Sequence, residues 1–93
     1  MIPRIKSYQP IEDYRLLVSF DDGKQVCYNV ADDIDTLPAF EGLKTEYGLF
    51  GNAQLDKSRT CIYWNNQIDL PSDTLYNYGV SISSLNKEVG RVS

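Results

Sequence analysis

The chain has 93 residues, 42% of them hydrophobic and 24% charged, the balance of one small globular domain and not of a disordered chain. Thirteen acidic and nine basic residues leave a net charge of −4, which disfavours nucleic acid as a partner because a phosphate backbone draws basic surfaces. The same charge favours a small basic protein partner.

No apolar run approaches the ~20 residues of a membrane span, and Met1 to Tyr14 lacks the apolar centre of a secretion signal. A cytoplasmic location without membrane contact is expected, with Cys27 and Cys61 reduced and half-buried in different strands.

Ile2 to Tyr8 reads as a short strand, with Pro3 at its start where a missing N–H is tolerated. Pro10 and two acids predict a turn over Gln9 to Asp13. Tyr14 to Phe20 alternates, placing Tyr14, Leu16, Val18 and Phe20 on one face. Asp21-Asp22-Gly23-Lys24 predicts a hairpin, because Asp-Gly tolerates the positive φ of tight turns. Gln25 to Val30 returns with Val26, Tyr28 and Val30 on one face.

Ala31 to Gly51 breaks this alternation. Leu37, Phe40 and Leu43 recur at a spacing of three, predicting a short helix from Pro38. Gly42 lowers its propensity by ~1 kcal/mol, so short helical pieces are expected in place of one long helix. Asn52 to Asp56, Thr60 to Trp64 and Gln67 to Leu70 read as a meander, with Asn65-Asn66 as a two-residue turn. Ser72 is expected to cap a final helix, with Asp73 at its positive end, Leu75 and Tyr76 toward the sheet, and Gly79 as its stop.

These elements predict an α+β fold: a small antiparallel-sheet domain with an N-terminal hairpin, short central helices, a C-terminal β-meander and a final short helix. Residues 1–79 make up the single domain, and residues 80–93 a C-terminal tail.

The chain contains no histidine, which removes the commonest general base and the Ser-His and Cys-His nucleophile systems. Two cysteines without histidine make no closed zinc site, and Gly48-Leu49-Phe50-Gly51 matches neither glycine-rich phosphate motif. No catalytic residue, cofactor or metal is therefore expected. Asp32, Asp33 and Asp35 lack the calcium-loop pattern and read as solvated loop or helix-cap aspartates, offering an acidic surface to a partner. Asp69 and Asp73 lie four apart across a strand-to-helix junction. They read either as an acid pair or as a turn acceptor and a helix-start residue. Cys61 would need a nearby cation or helix N-terminus to act as a nucleophile. Trp64 is expected in the core; Tyr63, on the opposite strand face, is the candidate exposed anchor.

Several segments together resemble the bacterial domain of unknown function 2442 (DUF2442). They are Pro3-Arg4-Ile5-Lys6, Tyr14-Arg15-Leu16-Leu17-Val18, Phe20-Asp21-Asp22-Gly23, Ile62-Tyr63-Trp64-Asn65, Ile68-Asp69-Leu70 and Asp73-Thr74-Leu75-Tyr76. The tryptophan-centred part is the more specific, and the resemblance spans roughly residues 2 to 79. It implies a small α+β domain with no assigned activity, encoded beside another small protein in an arrangement like that of toxin–antitoxin pairs. Some relatives carry a C-terminal helix-turn-helix; residues 80–93 are too few for one, and they depart from a family pattern that often ends sooner.

The resulting expectation is a non-catalytic protein-interaction module, antitoxin-like, with Tyr63, Asp32, Asp33 and Asp35 at the partner surface. An edge strand would also allow two copies to pair. The alternative is a small ligand binder or enzyme using Asp69, Asp73, Tyr63 and Cys61. A third reading, single-stranded nucleic acid stacked on Tyr63, needs a positive groove near Lys57 and Arg59.

Overall fold

The alternating segments become an antiparallel sheet in the computed structural model, which describes residues 2–82. Strands β1 (Ile5–Ile11), β2 (Arg15–Phe20) and β3 (Gln25–Asn29) pair in that order. Ile5, Leu16, Val18, Phe20, Val26 and Tyr28 all point inward and are buried, as a period of two requires. The β2–β3 turn forms as its residues dictate: Gly23 takes φ 94°, its N–H reaches the Phe20 carbonyl at 2.9 Å, and Asp22 Oδ1 accepts from the Lys24 N–H at 2.9 Å.

Four boundaries differ from expectation, the first being that β1 starts at Ile5 and leaves Pro3 outside it. β1 runs through Pro10 to Ile11, and the turn is the 3-10 segment Glu12–Tyr14. Pro10 is compatible with β1 because an edge strand has donors that need no ladder partner. Asp13 and Tyr14 carry left-handed φ values of 62° and 57°, so Tyr14 belongs to the turn; its ring meets Phe50 edge-on at 5.3 Å. Val30 starts a helix instead of ending a strand. Helix α1 (Val30–Thr36) is capped by Asn29, whose Oδ1 accepts from the Ala31 N–H at 3.1 Å. Asp32 and Asp33 occupy its positive first turn. Of the two expectations for the acidic stretch, loop or helix-cap aspartates, Asp32 and Asp33 follow the helical one.

The helical pieces that follow are shorter than one turn of spacing suggested. A 3-10 turn (Pro38–Phe40) precedes α2 (Gly42–Thr45), and a second 3-10 turn (Phe50–Asn52) leads to the next strand. Phe40 and Leu43 are buried, whereas Leu37, the residue that ends α1, is exposed.

The predicted meander is present as β4 (Gln54–Leu55), β5 (Cys61–Tyr63) and β6 (Asp69–Pro71), antiparallel and in that order. Its second turn is wider than two residues. The Trp64 N–H bonds the Ile68 carbonyl at 2.9 Å, and Asn65 Oδ1 accepts from both the Gln67 and Ile68 N–H groups. Helix α3 (Ser72–Tyr78) follows at once. Ser72 does not cap it: Pro71 holds the cap position, and Ser72 is buried inside the first turn with its Oγ unpartnered among the described residues.

Gly79 ends α3, but with φ −70° and no left-handed turn. A Cβ here would lie 2.6 Å from the Leu75 carbonyl oxygen and 2.7 Å from Val26 Cβ, so glycine is present for close approach to β3. That approach lets β7 (Val80–Ser81) pair with β3, extending the first sheet to β1-β2-β3-β7. The tail assigned to residues 80–93 thus begins as a strand; residues 83–93 lie outside the described part.

Both sheets and α3 share one core. Ile62, Trp64, Ile68, Leu70 and Leu75 are buried in one cluster with the inner face of the first sheet, each large aliphatic contributing about 1.5–3 kcal/mol by burial. Trp64 is in this core, its Nε1–H donating to the Phe50 carbonyl at 2.9 Å and its ring stacked on Phe50 at 5.8 Å. Cys27 and Cys61 are free, half-buried thiols on the outer faces of different sheets.

Candidate functional site

Alternation along β5 and β6 divides the meander into two faces. Ile62 and Leu70 point inward. Cys61 lies opposite Pro71, and Tyr63 opposite both Gln54 and Asp69, so these five residues share the outer face. Tyr63 is 38% exposed, whereas its neighbour Trp64 is 6% exposed; the expected split between anchor and core is as the strand period places it.

Cys61 has the wrong electrostatics for a nucleophile. Its thiol is 3.9 Å from Asp69 Oδ2. Burial pushes its pKa up, and the nearby carboxylates of Asp69 and Asp56 push it further, away from the thiolate that would react. Asp56, which the sequence reading did not single out, organises the loop before β5. It accepts from Ser58 Oγ at 2.8 Å and from the Thr60 and Cys61 N–H groups at 3.0 and 3.2 Å. The Ser58 hydroxyl, with these N–H groups, holds its carboxyl below the usual range. The Asp-x-Ser spacing at Asp56 and Ser58 was the available signal.

The aspartates of α1 lie on a separate element, where the helix packs against the Glu12–Tyr14 turn. Asp32 and Asp35 are exposed, while Asp33 Oδ2 accepts from the Tyr28 hydroxyl at 2.6 Å. Burial, with the Asp33 hydrogen bond, raises the Tyr28 phenol. Glu12 and Asp13 extend this acidic surface, and Arg15 supplies a cation 3.9 Å from Asp13. Among the described residues no group of three or more Cys, Asp or Glu side chains is placed to hold a metal ion.

Asp69 and Asp73 do not form a site together. Asp69 stays on the open face beside Tyr63, whereas Asp73, in the first turn of α3, lines a groove of about 950 Å³ that neither Asp69, Tyr63 nor Cys61 reaches. Asp73 Oδ1 accepts from the Thr74 N–H. The groove runs between α3 (Asp73, Tyr76, Asn77), the hairpin (Phe20, Asp21, Asp22), the Ile2–Arg4 arm and the Ser58–Thr60 loop.

Internal pairs hold its walls. Tyr76 donates its hydroxyl to Asp22 Oδ2 at 2.6 Å, which lowers the Asp22 carboxyl and raises the Tyr76 phenol. Lys24 Nζ sits 4.0 Å over the Tyr76 ring and donates to the Tyr76 carbonyl at 2.9 Å. Arg59 grips both Asp21 oxygens at 2.9 Å. The positive groove that a single-stranded nucleic acid would need is therefore not offered by Arg59, whose charge is matched by Asp21.

The family described as "Protein of unknown function (DUF2442)" matches residues 5–81, most of the chain, and the chain belongs to that family. No curated protein and no solved structure matches it. No helix among the described residues is long and apolar enough to cross a membrane.

Proposed function

We propose that this DUF2442 protein is a non-catalytic protein-interaction module, the antitoxin-like member of a two-protein pair, with a small basic protein as its partner. The observation that carries this reading is the outer face of the meander, where Tyr63 stands exposed on a paired strand among Gln54, Asp69 and Pro71. Cross-strand pairing fixes the backbone beneath the ring, so an aromatic anchor there loses little entropy on binding. The acidic surface of α1 and the Glu12–Tyr14 turn adds attraction for a basic partner. The ligand-binding or enzymatic alternative has less support, because Asp73 is separated from Asp69, Tyr63 and Cys61 and the thiol is pushed up.

The test is affinity capture from native host extract with three proteins: the wild type, Tyr63→Ser, and the double variant Asp32→Asn/Asp35→Asn. All three changes are at solvent-facing positions, so circular dichroism should report an unchanged fold. The expected result is one stoichiometric basic protein retained by the wild type, lost with Tyr63→Ser and retained more weakly by the charge variant. Equal capture by all three would move the interface elsewhere, and no capture by any would end the interaction reading.

A further inference from the structure

We propose that the groove between α3, the β2–β3 hairpin and the Ile2–Arg4 arm seats a short partner segment whose apolar side chains are flanked by one basic and one acidic residue. This rests on the interaction-module reading and names a second contact for it, away from Tyr63.

The floor is apolar. Phe20 and Tyr76 meet edge-to-face at 4.9 Å, and Ile2 and Pro3 line the groove beside them. Ile2 is 65% exposed, so apolar surface is already open to solvent there and would be covered by a ligand side chain. About 950 Å³ is near the upper end of small-ligand sites, enough for two or three side chains of an extended segment.

Charge selects the flanking residues. Most ionic groups around the groove are already matched: Asp21 by Arg59, and Asp22 by the Tyr76 hydroxyl and the Lys24 N–H, with the Lys24 ammonium over the Tyr76 ring. Two charged lining groups have no side-chain partner among the described residues, although Asp73 Oδ1 accepts from the Thr74 N–H. They are the Arg4 guanidinium on the arm and the Asp73 carboxylate on α3, contributed by different elements. Arg4 presents a planar fork suited to a carboxylate, and Asp73 Oδ2 suits an ammonium or guanidinium. An occupant with apolar residues between opposite charges satisfies both groups and the floor together, whereas a uniformly charged segment would leave one group opposed to like charge.

The experiment uses the full chain, labelled with ¹⁵N, and two end-blocked tetrapeptides, Lys-Phe-Leu-Glu and Glu-Phe-Leu-Lys, with Lys-Ser-Ser-Glu as the apolar-free control. Millimolar affinity is the scale expected of so short a probe. Saturable amide shifts should map to Asp21, Asp22, Ser58, Thr60, Asp73, Tyr76 and Asn77, and the control should produce none. The wild type should prefer one charge order by several-fold, and the exposed double reversal Arg4→Glu/Asp73→Lys should prefer the other. Shifts elsewhere, equal shifts with the control, or the same order preferred by both proteins would overturn the proposal. Host-partner capture that depends on Tyr63 but is unaffected by the double reversal would remove the groove and leave the interaction module standing.

Discussion

Arg59 joins parts of the chain that lie far apart in sequence. Its guanidinium spans Asp21 in the hairpin and the Ile5 carbonyl in β1, and its own carbonyl accepts the Ile5 N–H at 2.7 Å. It does so from a left-handed φ of 62°, a conformation that most residues avoid. Arg59→Ala should lower stability by about 1 kcal/mol, the upper part of the range for a partly exposed bidentate pair. Arg59→Lys should recover less than half, because an ammonium cannot bridge two oxygens in the same fork. Urea-denaturation midpoints read both. At Gly79, substitution by Ala should cost about 1–3 kcal/mol by overpacking against Val26 and the Leu75 carbonyl. Gly51→Ala, facing open space, should change stability by less than about 0.5 kcal/mol. Similar losses at the two glycines would contradict the close-approach explanation.

The elements that could be read from sequence are those whose neighbours in space are also neighbours in the chain. β2 and β3 carry alternation on both sides of an Asp-Gly turn, and the Tyr63/Trp64 division follows from strand period alone. α1 was missed because the alternation of β3 runs into Val30 and hides the switch. The helical signals were nonetheless local: Asn29 as cap, Asp32 and Asp33 in the first turn, and Val30 and Ile34 one turn apart on the inward side. Asn29→Ala should therefore destabilise the protein by about 1 kcal/mol, read by thermal unfolding; no change would mean that packing of Val30 alone holds the helix start. β7 is too short for any pattern and exists because Gly79 lets the chain close on Val26. The groove assembles residues near 3, 21, 59 and 75, so no local window could show it. Asp69 and Asp73 separate because the chain passes from strand into helix between them, which leaves Asp73 as the helix-start residue that one of the two sequence readings expected.

Over the whole molecule, the missing histidine governs pH behaviour. No side chain with an ordinary pKa between about 5 and 8 is present, so unfolding stability should be nearly flat across that window. Asp22 and Asp56 bind protons more weakly when folded than the ordinary value of 3.8. Their contribution is full above that value and lost as pH falls through their folded values. Cys61, Tyr28 and Tyr76 are raised from 9.0 and 10.0, so the unfolded chain releases these protons first and stability falls as pH rises past those values. Urea denaturation across pH should show a plateau with a fall at each end; a transition near neutrality would contradict it.

In the proposed interaction module, the net charge of −4 and an aromatic held on an open sheet face are the features that would favour association. The most direct measurement is the stoichiometry of what a tagged chain retains after capture from its native host, read by mass spectrometry at low and high salt. One small basic protein near a one-to-one ratio, released as salt screens the acidic surface, is the predicted result. A folded monomer that retains no protein at either salt would contradict it.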